Sequence, residues 1–505
     1  MLGKLALFLY FNLHKLFILY VILSLINFFI FMGDIFTALT STLRPIVNFN
    51  VLAPFTSKFN LPFIYFLLIG TSFWFMFYLR FINFSKFKDA FALAFGSGSD
   101  KEKKHDNGKN GVSSLKSLFS IIAGSAGLGT IVGVPTLSVE IGPGVAFWIL
   151  LVPFIGMSLR FAEVWCGHKY RVKSEDGSYN GSPSSYIKIA LSQIGFKKIG
   201  SFLAIVYVLG MLIGGFVGPS SYQSNQVVDA ICNNFDCLVN SRNMVAIIVA
   251  VIVGLVTFRG QQSIMNFLSF MAPCVIVIYM LGIMFVMFKF NDQIGHTLKI
   301  IMEDAFKIKT AVVGSTGTIG LSILFSRVAL GSEIGLGTAS TMHSNSENKD
   351  SVREGIISMC SPFISIFFIS FFTIFIIVLT GSHVSGNTGI RLVQMAFAKG
   401  HPQLIWIAVF MTVIMGMNVM IAWSAYGVRN TQSLFSGSES AGRVYWFVYI
   451  VAIYIGGIVS NFTSILHFSD IANQIAIIPH CIALIMLTKV IRHYYLEYDA
   501  RSTKK

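Results

Sequence analysis

Runs of roughly 20 consecutive apolar residues recur along this chain, each long enough to cross ~30 Å of hydrocarbon. Lipid offers backbone N–H and C=O groups no hydrogen-bond partner. Spanning segments must therefore satisfy those groups inside helices or inside a closed barrel. The runs lack the two-residue alternation of barrel strands, which leaves helices. Charged residues make up 12% of the chain, about half the share of a soluble domain. The sequence thus predicts an all-α polytopic membrane protein.

The predicted spans are 5–32, 61–82, 115–139, 145–167, 199–217, 244–258, 264–288, 311–340, 356–379, 404–427, 444–459 and 471–490, about twelve transmembrane helices in all. The first begins behind Lys4 like a signal peptide. Its apolar stretch is too long for one, and no small-residue cleavage site follows before Asp34. The polar stretch 96–110 reads as a disordered linker.

Net charge is +15, but the basic residues form no stripe of the kind that binds nucleic acid. They crowd loops between apolar runs, such as Lys101, Lys103 and Lys104 before the third span and Lys169, Arg171 and Lys173 after the fourth. Two crossings separate these loops, so they share a side, and the positive-inside rule makes that side cytoplasmic. The basic tail 491–505 falls on the same side, and the sparsely charged 218–243 loop on the other. Lys299, Lys307 and Lys309 fall outside on this count, against the rule. A multi-pass inner-membrane protein with a cytoplasmic C-terminus is expected.

Four of the six cysteines (Cys166, Cys274, Cys360 and Cys481) lie in or beside apolar segments, where they serve as small hydrophobes. Cys232 and Cys237 flank a polar stretch, and they pair only if it faces an oxidising space. The histidines form no tight ligand cluster, so no metal site is expected.

Two spans carry the same internal motif. Gly-Leu-Gly-Thr occurs as Gly127–Thr130 in the third span and as Gly335–Thr338 in the eighth. Each glycine weakens a helix by roughly 1 kcal/mol relative to alanine, and Pro135 removes a further backbone donor. The copies stand five spans apart, so the second runs in the opposite sense. This pattern marks a 5+5 inverted-repeat core with two discontinuous helices. The implied organisation is an extra helix at 1–60, a further helix and linker at 61–114, five-helix units at 115–309 and 310–490, and the tail. Freed N–H and C=O groups at such breaks are tolerable only where they line a cavity, and there they suit a zwitterion and a cation. Gly127, Gly129, Thr130, Gly335, Gly337 and Thr338 are the candidate ligand-binding positions. Small residues that merely let helices pack closely are the alternative.

These motifs, with Gly142-Pro143-Gly144, Phe161-Ala162-Glu163, Gln223-Ser224-Asn225, Trp423-Ser424-Ala425-Tyr426-Gly427 and Asp470-Ile471, resemble the alanine or glycine:cation symporter family over about 61–489. The resemblance implies the leucine-transporter type of fold and secondary active transport of a small neutral amino acid, usually with sodium. It also implies that Gln223 contacts substrate. Trp423 either walls the pocket or is an ordinary interior aromatic. Where the family reads Gly-Thr-Gly-Asn, this chain has Leu128 and Thr130; Ser332 replaces an asparagine, Ser365 an aspartate and Val419 a threonine. By analogy with that fold, Thr130 and Ser365 lie near one cation position, which has lost an amide and a carboxylate. A hard cation prefers charged oxygen ligands, so sodium should bind weakly there.

Among the remaining residues, Glu333 costs several kcal/mol inside a span unless paired or hydrated. It either caps freed N–H groups or takes part in cation or proton coupling. Glu163 pairs with Arg160 three residues earlier. Arg327 anchors a gate, and Glu140 and Pro143 are structural. The absence of a phosphate-binding Gly-x-x-x-x-Gly-Lys loop leaves an ion gradient, Na+ or H+, as the drive. No enzymatic cluster is evident, and no cofactor or obligate protein partner is expected. Rival readings are a proton-coupled or re-specialised carrier and a transport-incompetent membrane relative.

Overall fold

The computed structural model describes residues 63–96, 112–307, 319–459 and 463–502, with the backbone alone for 319–323, 326 and 463–472. The first predicted span, the linker after Gly96 and the start of the eighth span lie outside them. The described chain is almost wholly helical. Among its residues, six helices are long and apolar enough to cross a membrane, or eight if each bent pair counts as one span.

The order begins with α1 (Phe63–Tyr78), α2 (Phe87–Phe95), α3 (Ser114–Ser125), α4 (Val134–Glu140) and α5 (Val145–Lys169). A two-stranded hairpin, β1 (Val172–Lys173) and β2 (Tyr179–Asn180), leads to α6 (Pro183–Gln193). Then come α7 (Lys197–Cys232), α8 (Arg242–Phe258), α9 (Gln261–Lys289) and α10 (Ile294–Ala305). The second half holds α11 (Ile319–Ser332), α12 (Thr338–His343), α13 (Ser351–Leu379), α14 (Gly389–Gly400), α15 (Ile405–Leu434) and α16 (Glu439–Ile458), then α17 (Thr463–Met486) and α18 (Thr488–Ser502).

Large apolar side chains point outward along the spans, including Leu255, Phe258, Leu281 and Phe288, as expected of helices whose solvent is lipid. The main buried core, with Phe161, Trp165, Tyr207, Met420 and Tyr449 among its members, takes in Ile334 and Leu336 of the second break, and a second cluster holds Ala126, Leu128 and Ile131 of the first.

The structure corrects several expectations. The fifth span does not end at Val217. It continues as one 36-residue helix to Cys232 through a wide π turn over Phe216–Tyr222. Gly218-Pro219-Ser220-Ser221 reads as a loop. However, the hydroxyls of Ser220 and Ser221 both donate to the Phe216 carbonyl, and the helix continues past Pro219 although that residue has no N–H to give. Gln223 therefore sits inside a continuous helix, and most of the supposed 218–243 loop is helical. Cys232 and Cys237 are free, the first buried and the second exposed. The tail is largely ordered as α18, bent 59° from the preceding helix and tied back by an Asp499–Lys86 ion pair of 2.8 Å. Lys299 and Lys307 belong to the short amphipathic region of α10, where they lie near Glu303 (3.8 Å) and Asp304 (3.7 Å).

Candidate functional site

The first break follows from local chemistry. The Ser113 side chain caps α3 by accepting from the Lys116 N–H, and the helix then runs into Gly124-Ser125-Ala126-Gly127. The chain resumes as a π turn over Gly129–Gly133 and as α4, which has Pro135 in its first turn. Pro135 has no N–H to donate back into that π turn. The two halves meet at 58°.

The second break turns on left-handed backbone. Glu333, Gly335 and Gly337 all have positive φ, at 54°, 85° and 74°. For the glycines this conformation costs little, whereas a glutamate in it must be held by its surroundings. The holding groups are identifiable. Trp423 Nε1 donates to Glu333 Oε1 at 2.7 Å, and the Thr338 hydroxyl donates to Oε2 at 2.6 Å. Among the described residues, Glu333 thus accepts from two side chains and from no freed N–H.

That capping falls to α5. Glu163 Oε1 accepts from the Gly335 N–H at 2.7 Å, and Arg160 Nη2 donates to the Ser332 carbonyl at 2.6 Å. The expected Arg160–Glu163 pair is present at 3.1 Å, with both side chains fully buried. The carbonyls beyond the break are also taken. His480 bonds the Gly335 oxygen (2.6 Å), and the Tyr207 hydroxyl bonds that of Leu336 (2.6 Å). Tyr186 in turn bonds the other His480 nitrogen. One ion pair and one aromatic chain thereby satisfy the polar backbone that lipid could not.

The breaks touch each other. A Cβ placed on Gly129 would lie 3.5 Å from the Gly331 Cα, and one on Gly331 would lie 3.4 Å from Thr130 Cγ2. Arg327 bridges the same two segments, donating to the Gly133 carbonyl (3.0 Å) and approaching Glu140 (3.4 Å). Beside Gly127 stand Val419 and Gln223: a Cβ there would fall 2.5 Å from Val419 Cγ2 and 3.3 Å from Gln223 Nε2. Gln223 is buried, and among the described residues its Oε1 has no hydrogen-bond partner. Trp423, which bonds Glu333, follows Val419 by four residues on α15.

Thr130 and Ser365 do not pair. The Thr130 hydroxyl donates to the Gly127 carbonyl (2.8 Å), and the Thr130 carbonyl accepts from Ser370 (2.8 Å). Ser365 meets Ser125 at 3.3 Å. Both hydroxyls nevertheless lie on the same contact, between the first break and the π turn Ser365–Phe371 of α13.

At the end of the molecule that carries the basic loops, the hairpin is a fastener. Arg429 of α15 binds Asp176 (3.0 Å) and Ser178, while Asn345, just after α12, accepts from the Tyr179 N–H (2.9 Å). Arg171 donates to the Ser344 and Ser346 carbonyls (2.7 and 2.6 Å). Burial alone would raise the Asp176 carboxyl. Arg429 and the Ser178 hydrogen bonds outweigh it and hold the group below its ordinary range. Nearby, Glu354 is buried and bonds His343 (2.5 Å) and Ser114 (2.6 Å).

Sequence reasoning missed the hairpin, Tyr186, Tyr207, Arg429 and His480. No spacing rule links residues so far apart in the chain.

Comparison with known proteins supplies the wider setting. The fold is similar to that of MhsT, solved in complex with L-phenylalanine, with a TM-score of 0.50 at 12% identity over 75% of this chain and 89% of that one. Among curated proteins, the chain is 29% identical to an uncharacterised transporter of Haemophilus influenzae, over 79% of this chain and 86% of that protein. It is 25% identical to the sodium/alanine symporter AgcS of Methanococcus maripaludis, over 85% and 92%. The sodium:alanine symporter family model matches residues 47–505. Two glycine breaks, their buried clamp and this match across nearly the whole length agree that the chain is a membrane transporter belonging to the sodium:alanine symporter family.

Proposed function

We propose that this protein is a secondary active symporter that moves a small neutral amino acid, of the alanine or glycine class, together with a cation by alternating access. The observation that carries the reading is the contact of the two breaks at Gly129 and Gly331, beside the unpartnered Gln223 amide oxygen. A zwitterion needs an acceptor for its ammonium and donors for its carboxylate. Gln223 offers the first, and the positive end of a broken helix offers the second. Val419 packed against Gly127 favours a short side chain. Gly127, Gly129, Thr130, Gln223, Gly335, Gly337, Thr338 and Trp423 form the proposed substrate site, within a 5+5 inverted-repeat core.

Sodium is the proposed co-transported ion, as the family name and the name of AgcS suggest. Thr130 and Ser365 are its proposed ligands, and both are neutral hydroxyls engaged with other groups of the protein. Weak sodium affinity follows. A second reading, proton coupling through Glu333, rests on one observation. Among the described residues, that buried carboxylate has no basic side chain within ion-pair distance, and it bonds both Trp423 and Thr338.

The test is uptake of labelled alanine and glycine into proteoliposomes under separately imposed sodium, potassium and proton gradients. Sodium-driven uptake upholds the main reading. Proton-driven uptake that disappears in Glu333→Gln upholds the second. Silence under every gradient and across a broad amino acid panel overturns both.

A further inference from the structure

A second cavity lies away from the breaks, at the end of the molecule that carries the basic loops. Its volume is about 600 Å³, and it opens between the α8–α9 turn, the end of α15 and the start of α16. Its wall is two-faced. Three arginines line the polar side: Arg259 in the turn, Arg429 on α15 and Arg443 on α16. Asp176 and Glu439 are the acidic groups of the lining, and each is matched, Asp176 by Arg429 at 3.0 Å and Glu439 by Arg443 at 3.1 Å. Arg259 is exposed and has no acidic partner among the described residues. The balance of the wall is therefore positive.

The other side is aromatic. Phe258 and Phe447 are 75% and 61% exposed, a degree of apolar exposure that only contact with lipid makes economical. Phe258 packs against Trp446 with ring centroids 5.6 Å apart, and Trp446 Nε1 bonds Thr257 at 2.8 Å. This bond ties α8 to α16 and keeps the lip formed. Arginines behind an aromatic lip, at the level where two apolar helices end, match the two halves of an anionic lipid: a phosphate-bearing headgroup and the upper part of its acyl chains.

The geometry points to this cavity as a binding site for an anionic phospholipid, whose phosphate is held by Arg259 and Arg443 and whose chains lie against Phe258 and Phe447. The site is separate from the candidate substrate region. It adjoins the hairpin through Arg429, so the bound headgroup sits next to the residue that fastens Asp176 and Ser178.

Native mass spectrometry of the purified full-length protein tests this, with phosphatidylglycerol and phosphatidylcholine as probes and inorganic phosphate as competitor. Retention of phosphatidylglycerol over phosphatidylcholine is expected. It should fall roughly thirtyfold in Arg259→Ala/Arg443→Ala and should not be displaced by phosphate at millimolar concentration. Both arginines are exposed, so the variant should unfold at the temperature of the parent. Phe447→Ala supplies an independent variant and should weaken retention without touching the charge. Equal retention of the two lipids, or undiminished retention in both variants, overturns the proposal. Complete displacement by inorganic phosphate also overturns it, by making the site one for a free anion.

Discussion

The Glu163 carboxylate crosses from α5 to the Gly335 N–H at 2.7 Å, so the second break is capped by a side chain carried on a different helix. Glu163→Gln keeps the acceptor but leaves Arg160 buried beside a neutral group. Removing one partner of a buried ion pair costs about 3 kcal/mol. Thermal unfolding should therefore fall by several degrees, and Arg160→Met in the same background should restore part of the loss. A Glu163→Gln protein as stable as the parent would show that the pair does not hold the break.

Gly127→Ala places a methyl group against Val419. Loss of about one methylene's worth of room weakens binding by about tenfold or more, so the KM for alanine uptake should rise by that factor. Val419→Ala in the same chain removes the obstructing group and should recover most of the affinity. Failure of that rescue would mean that Val419 does not bound the site.

The hairpin gives a pH signature. The carboxyl of Asp176 is held below its ordinary value in the folded protein. Its contribution is present above the unfolded value, near pH 4, and is lost as pH falls through the lower folded value. Asp176→Asn should unfold at a lower temperature than the parent at pH 7, and the gap should close as the pH drops below about 4. A gap independent of pH would remove Arg429–Asp176 from the account.

The thiols offer a simple check on the loop after α7. Cys237 is exposed and Cys232 buried, and both are free. A maleimide reagent should label Cys237 in the folded, unreduced protein, and Cys232 only after denaturation. No labelling before reduction would indicate a disulfide between them.

Much of this architecture was readable in the sequence because lipid imposes strong rules. Spans such as 145–167 and 264–288 fall within α5 and α9, since hydrocarbon thickness fixes their length. The breaks were readable because glycine marks them twice. Elements governed by other forces were not. The short helices α6, α10 and α14 cross nothing and so lack the long apolar signal, and the π turn at Phe216–Tyr222 hid behind Pro219. Within the candidate site, Glu333, Trp423 and Gln223 were foreseen as members. Two roles were open for Glu333, capping freed N–H groups or coupling to a cation or proton; Glu163 reaches the Gly335 N–H, and Glu333 meets the side chains of Trp423 and Thr338. His480 and Tyr207 gave no signal, since only the folded chain brings them to the Gly335 and Leu336 carbonyls.

The contact of Gly129 with Gly331 restricts how such a carrier can change its diet. Where two main chains approach with no side chain between them, a methyl group on either glycine would already fill the space to ordinary contact, 3.5 Å at Gly129 and 3.4 Å at Gly331, leaving little for anything longer. The centre of the molecule thus leaves small latitude for mutational adjustment. Substitution on the flanking helix α15, at Val419 or Trp423, alters the volume around the ligand while leaving that contact intact. New preferences should arise at its edge, one side chain at a time, around an unchanged middle.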